Sequence, residues 1–122
     1  MIFVTADSCR AQLEKLTRLL VSAFPGSTVY QHTDLRRVSH DVMNNKVDAV
    51  LLEAETDKKS GLEFMEMLQR QKPNIPVFFI SRTESFGEEA EMAGASGCFL
   101  LPEREEQLLE ALRLVQRREK VS

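Results

Sequence analysis

Short apolar runs alternate along this chain with longer stretches in which apolar residues recur every three or four positions. The first run, IFVTA at residues 2–6, ends at Asp7-Ser8. Leu13, Leu16, Leu20 and Phe24 then follow at helical spacing, with Leu19 beside them, until Pro25-Gly26 stops the pattern. STVYQ, residues 27–31, predicts a second strand. Thr33-Asp34 predicts the cap of a short helix that carries Leu35, Val38 and Val42 and closes at Asn44-Asn45. AVLL, just before Glu53, lacks alternation, as expected of a parallel strand covered on both faces.

The second half repeats the rhythm. Ser60-x-x-Glu63 fits a capping box, in which the two side chains satisfy each other's orphan backbone donors. Leu62, Met65 and Leu68 form the stripe of that helix, which ends before Pro73; Met65 and Met67 are read as packing rather than a soft binding surface. PVFFIS, residues 76–81, predicts a fourth strand. Ser85-x-x-Glu88 is a second capping box, opening a fourth helix that ends near Gly94. CFLL, residues 98–101, predicts a fifth strand terminated by Pro102. A fifth helix carries Leu108, Leu112 and Val115, with Ala111 alongside. Glu103, Glu105 and Glu106 stand at its start and Arg117, Arg118 and Lys120 at its end, the order that complements a helix dipole.

Strands that each lead into a helix predict an α/β fold with a parallel sheet, here as one domain over residues 1–122. In such sheets ligands gather in the crevice beyond the carboxyl ends of the strands, where the strand order reverses. The candidate chemistry therefore sits at Asp7-Ser8, Glu53, Ser81-Arg82 and Leu101-Pro102.

Composition narrows the classes. At 43% apolar and 29% charged residues the chain is of ordinary globular make-up, and its net charge of −3 argues against nucleic acid as a direct partner. No apolar stretch reaches the roughly 18–20 residues that a membrane span requires. MIFVTADSCR has no basic n-region or cleavage pattern, so a cytoplasmic location is expected. Cys9 and Cys98 make no CxxC motif, and Cys98, next to Phe99, Leu100 and Leu101, reads as a packed thiol. His32 and His40 have no partner at metal-ligand spacing and receive no role. ADSCRAQ, after the first strand, is not a Gly-rich phosphate loop, which counts against a flavodoxin-like cofactor binder.

Two stretches resemble the receiver domain of two-component response regulators. GASGCFLLP, residues 94–102, is similar to that family's Gly-Ala-x-x-aromatic-apolar-apolar-Lys-Pro. In LLEAETDKKSGLEF, residues 51–64, Glu53 and Gly61 keep the separation between the family's acceptor Asp and a Gly of the next helix. The resemblance covers essentially the whole chain. It implies a flavodoxin-like (βα)5 fold with strand order 2-1-3-4-5 and helices on both faces. It also implies transfer of a phosphoryl group from a histidine kinase to the acceptor Asp. In the family, acids after the first strand join the acceptor in holding Mg2+. A Ser or Thr after the fourth strand and a Lys after the fifth bind the phosphoryl oxygens, and an aromatic residue on the fifth strand reports the change.

Matched position by position, this chain departs from most of that set, which implies a degenerate or pseudo-receiver. Glu53 stands at the acceptor position. Asp7 followed by Ser8 leaves one acid of the pair; in the alternative register the pair is Ala6 and Asp7. Ser81 fits the hydroxyl position, with Arg82 next to it, while Leu101 replaces the Lys and Cys98 the aromatic. Pro102 is kept, and the bond before it is commonly cis in the family. Mg2+ needs near-octahedral oxygen ligands, and the extra methylene of Glu53 crowds such a site. In-line transfer is also sensitive to displacements of about 1 Å.

The expectation is thus a phosphorylation-independent interaction module with no enzymatic activity, no catalytic residue, no metal and no cofactor. Asp7 is then a remnant acid. Glu53 is either the carboxylate of a site that has lost its reaction or a fixed charge resembling the phosphorylated state, with Ser81 and Arg82 as its partners. The alternative is a working receiver phosphorylated with Mg2+. The expected partner is another signalling protein, met through the fourth and fifth helices and the fifth strand, or a second copy of the chain in a homodimer.

Overall fold

The computed structural model describes residues 1–53, 58–82 and 94–121. Five parallel strands, β1 (Ile2–Ala6), β2 (Thr28–His32), β3 (Ala49–Glu53), β4 (Val77–Ser81) and β5 (Gly97–Leu100), form one sheet in the order β2-β1-β3-β4-β5. Between and after them lie α1 (Arg10–Ala23), a 3-10 turn at Leu35–Arg37, α2 (Val38–Asn44), α3 (Lys58–Gln71) and α4 (Glu105–Val121). The fourth predicted helix, beginning at Ser85, lies outside the described residues.

Right-handed crossovers dictate which face each helix covers. The chain steps from β1 outward to β2, then reverses past β1 to β3, β4 and β5. Reversing the direction of travel reverses the face, so α1 lies on one side and α2 and α3 on the other. Two clusters of buried side chains follow. Leu16, Leu20 and Phe24 meet Phe3, Leu51, Phe78 and the α4 residues Leu108, Leu109 and Leu112 on one face. Val38, Val42, Met65 and Leu68 meet Val4, Val50, Leu52, Val77 and Phe79 on the other. Successive strand residues feed opposite faces, and β3, covered on both, has four consecutive buried residues before Glu53.

Among the described residues the predicted elements are present with shifted ends. β2 runs one residue later than expected, because His32 still pairs with Ala6. Ser60, expected to open α3, lies inside it, since the described helix runs from Lys58. The short helix after β2 begins as a 3-10 turn, whose first N–H groups are met by the Asp34 side chain accepting from the Arg36 backbone. Its exposed carboxylate also takes the Arg36 guanidinium, and these Arg36 hydrogen bonds bring the Asp34 pKa down to about 2. β5 ends at Leu100, so Leu101 belongs to the turn, where its N–H donates to the Ser81 carbonyl at 2.8 Å. The Leu101-Pro102 peptide bond is cis. At the other end of the sheet the α1–β2 turn uses Gly26 at φ +83°, a backbone region that costs glycine little.

Leu51 has no exposed surface and lies at the centre of the α1–α4 cluster, whereas Leu114 on α4 is 48% exposed. Leu51→Ala is expected to cost about 2–5 kcal/mol of unfolding free energy. Leu114→Ala is expected to change it by about 0.5 kcal/mol or less. Urea denaturation of both variants checks the contrast.

Candidate functional site

β1 and β3 are neighbours, and the pairing of Ala6 with Leu52 carries the chain on to Asp7 and Glu53 at adjacent strand ends. The strand order reverses here, so α1 departs to one face and α3 to the other, leaving a crevice between them. Asp7 is still tied to the sheet, since its N–H donates to the His32 carbonyl at 3.0 Å. Its side chain is only 8% exposed. One carboxylate oxygen accepts the Cys9 N–H at 2.8 Å, which bends the chain into α1, and the other faces Arg82 Nη2 at 3.5 Å. Glu53 Oε2 accepts both the backbone N–H and the Oγ hydroxyl of Ser8, each at 3.2 Å.

The electrostatics follow from this placement. Burial pushes the Asp7 carboxyl above its ordinary value. The Cys9 N–H pulls against that rise, the negative charge of Glu53 adds to it, and the Arg82 guanidinium opposes it. The sum is upward: one arginine at 3.5 Å offsets only part of what burial and a second carboxylate impose.

Glu53 was expected to take Ser81 and Arg82 as partners. The contacts described here give Glu53 a partner in Ser8 and Arg82 one in Asp7. Ser8, counted from the sequence as a missing acid, is a double donor to the carboxylate across from it. Its signal was its position directly after Asp7, beyond the end of the strand next to that of Glu53. Ser81 ends β4 and is buried, with 2% of its surface exposed. Leu101 packs beside the α1–α4 cluster. Cys98 is half-buried and packs on the opposite face, opposite Phe79 in the register, while the next residue, Phe99, turns toward Phe78 with ring centroids 6.0 Å apart. Gly61 sits against the Phe79 ring, where an added Cβ would meet a ring carbon at 3.4 Å. His32, given no role from the sequence, makes a close side-chain contact with Asp41 that ties the end of β2 to α2.

The carboxylates that a magnesium ion would meet already have donors within the chain. Mg2+ takes oxygens at 2.0–2.1 Å in near-octahedral order, generally from more than one carboxylate and water. Here an Asp7 oxygen is engaged by a backbone N–H and Glu53 Oε2 by two donors from Ser8, and a guanidinium stands over Asp7. Among the described residues no group of three or more His, Cys, Asp and Glu side chains gathers as a metal site. What the arrangement does chemically is hold two carboxylates side by side with internal donors.

The family model described as "Response regulator receiver domain" matches residues 3–113. Among solved structures, a response regulator receiver domain protein from Clostridium thermocellum superposes with a TM-score of 0.83 at 18% identity, covering 98% of this chain and 97% of that one. The signal receiver domain of a DNA binding response regulator from Colwellia psychrerythraea gives 0.82 at 16% identity, over 96% and 98% of the two chains. The signal receiver domain of an HD domain-containing protein from Pseudomonas fluorescens gives 0.80 at 18% identity, over 99% and 98%. No curated protein matches the chain significantly. No helix among the described residues is long and apolar enough to cross a membrane.

The raised Asp7 pKa has a consequence for stability. A carboxyl that holds its proton more tightly when folded costs stability above its folded pKa, and that cost vanishes as pH falls through that value toward the unfolded one of 3.8. Asp7→Asn keeps an oxygen for the Cys9 N–H and removes the charge. It is expected to raise the urea midpoint at pH 7, with the gain shrinking as the pH is lowered toward 3.8. A lower midpoint for the variant at pH 7 would show that the Arg82 contact outweighs burial.

Proposed function

The chain belongs to the response regulator receiver domain family, and from that premise we propose that it works in two-component signal transduction as a phosphorylation-independent interaction module. Receiver domains act by meeting other signalling proteins, and this chain is read as doing so without a phosphoryl switch. The observation that carries the reading is that the crevice carboxylates have donors within the chain, with Ser8 on Glu53 and Arg82 on Asp7.

Three further features support it. A phosphoryl group arriving at Glu53 meets the negative charge of Asp7 with neither an ammonium at position 101 nor a carboxylate at position 8 to organise a metal. Arg82 fills a place where the family has a small residue, and leaves less room. Cys98, on β5, has no ring to move between inward and outward positions, so the route that the family uses to report phosphorylation is missing here. No cofactor and no enzymatic role belong to this reading. Of the two fates of Glu53, the one taken here is the carboxylate of a site that has lost its reaction, with Ser8 as one of its donors.

The partner in this reading is another protein of the signalling chain. The neighbours named above carry the same fold in a DNA binding regulator and in an HD domain-containing protein, so receivers serve differing outputs. For this chain the docking face is proposed to include β5 and α4, where Leu114 offers exposed apolar surface.

Incubation with acetyl phosphate and Mg2+, followed by intact mass measurement, is expected to leave the mass unchanged. A gain of one phosphoryl group, mapped to Glu53, would establish the working-receiver alternative instead. In parallel, capture from the native host with the parent and with the Glu53→Asp, Leu101→Lys double variant is expected to retrieve the same partner. A partner retained only by one acetyl-phosphate-treated form would make the module a switch.

A further inference from the structure

At the carboxyl end of the sheet, a cleft of about 360 Å3 opens between α1 and the turn that joins β5 to α4. Its size lies at the lower end of the range for small-ligand sites, about 300–1,000 Å3. Leu16 and Leu19 from α1, Ile80 from β4, and Leu101-Pro102 from the turn make its apolar wall. Leu16 and Ile80 are almost fully buried, so this wall belongs to the core rather than to a mobile surface. Nothing in the reading of the domain as an interaction module uses this space.

The charges along the cleft decide what kind of head group suits it. Asp7, Glu103 and Glu105 face Lys15 and Arg82, and Glu53 stands next to Asp7 outside the cleft. Glu103 and Glu105 make no ion pair among the described residues, and the Arg82–Asp7 contact is a long one at 3.5 Å. An anionic head would compete for Arg82 and strip compensation from a carboxylate that is 8% exposed beside a second acid. Removing one partner of a buried charge is the costly direction. A cationic head instead adds the charge that Asp7 lacks and reduces its repulsion with Glu53.

We propose that this cleft binds a small amphipathic amine, its apolar body against Leu16, Leu19, Leu101 and Pro102 and its ammonium toward Asp7 and the Glu103–Glu105 rim. The side chain of Leu101 ends in methyl groups, so among the described residues the cations of the cleft are Lys15 and Arg82 alone. A ligand that brings both a short apolar stem and an ammonium answers both features of the wall. The inference rests on the reading of the crevice as one that is not phosphorylated. The acetyl phosphate mass measurement reports on that reading alone, and the titration below reports on the cleft alone.

The probe is n-hexylamine, compared at pH 7 and constant ionic strength with 1-hexanol and hexanoate, each titrated into the full chain labelled with 15N. Hexylamine is expected to shift the backbone amides of Leu16, Leu19, Leu101 and Glu103 saturably, with a millimolar dissociation constant. Hexanol, which lacks the charge-assisted contact, is expected to bind about tenfold more weakly, and hexanoate more weakly still. Asp7→Asn is expected to weaken hexylamine about tenfold. Glu103→Gln with Glu105→Gln, at exposed or half-exposed positions, gives a second variant with a smaller weakening should the first fold poorly. Leu101→Lys, which supplies an internal ammonium, is expected to abolish binding. Equal affinity for amine and alcohol, tighter binding of hexanoate, shifts confined to other parts of the sheet, or no saturable shift would each overturn the proposal.

Discussion

Parallel strands deliver the side chains that follow them to one end of the sheet, and here that geometry sets Asp7 and Glu53 side by side. Two carboxylates in a half-buried crevice repel each other and resent the loss of water, so the fold needs something to compensate them. A bound metal, a cationic side chain, hydrogen-bond donors or a retained proton are the available means. The second and third are present here: a guanidinium at 3.5 Å from Asp7 and paired donors from Ser8 to Glu53. The compensation is incomplete, since burial and Glu53 still hold the Asp7 carboxyl above its ordinary value. The residues that differ from the family pattern are thus linked, because a serine in place of an acid removes one negative charge and adds a hydroxyl donor to another beside the backbone N–H.

The crevice is only as well defined as the layers beneath it. The reversal of strand order between β2 and β3 fixes which strand ends are neighbours, and the two clusters on the faces of the sheet fix their spacing. Protein cores are close-packed and resist continuous deformation. Ser81 and Leu101 are joined through the backbone at 2.8 Å, which couples the end of β4 to the turn after β5. Leu101 is at once a member of the α1–α4 core and a wall of the crevice. A lysine there would be called to the charged end of the sheet, whereas a leucine is retained by the core.

The fold was legible in the sequence because both covered faces leave a periodic trace. AVLL could be read as a doubly buried strand, and the stripe of Leu13, Leu16 and Leu20 as one helix face, without knowledge of any partner. Boundaries were less legible where a backbone bond across the chain decides them. His32 belongs to β2 because Ala6 pairs with it, and Lys58 precedes the capping pattern that suggested Ser60. The site divided in the same way. That Asp7, Glu53, Ser81 and Leu101 meet at one end followed from strand order alone. Which donor serves which carboxylate did not, because it depends on side-chain directions that no sequence spacing encodes. His32 and Asp41 lie nine residues apart on different elements, and their contact had no periodic trace at all.

A switch requires that some event change the free-energy difference between two states. In the proposed reading the carboxylate of Glu53 is permanent, so it shifts no equilibrium over time; it can only set where the equilibrium lies. The absence of an aromatic ring at Cys98 removes a second two-state element from β5. Regulation in such a domain must then come from an occupant that prefers one arrangement, and a ligand of equal affinity for both would shift nothing however tightly it bound. The cleft beside Leu101 is suited to that part on physical grounds. Its walls come from α1, β4 and the β5–α4 turn, so an occupant touches the element that starts at Asp7 and the one that leads into the proposed docking face. An added cation there acts on the same charge balance that Arg82 only partly settles. In the proposed reading the signalling input would be binding rather than covalent modification, read through the compensation of one buried carboxylate.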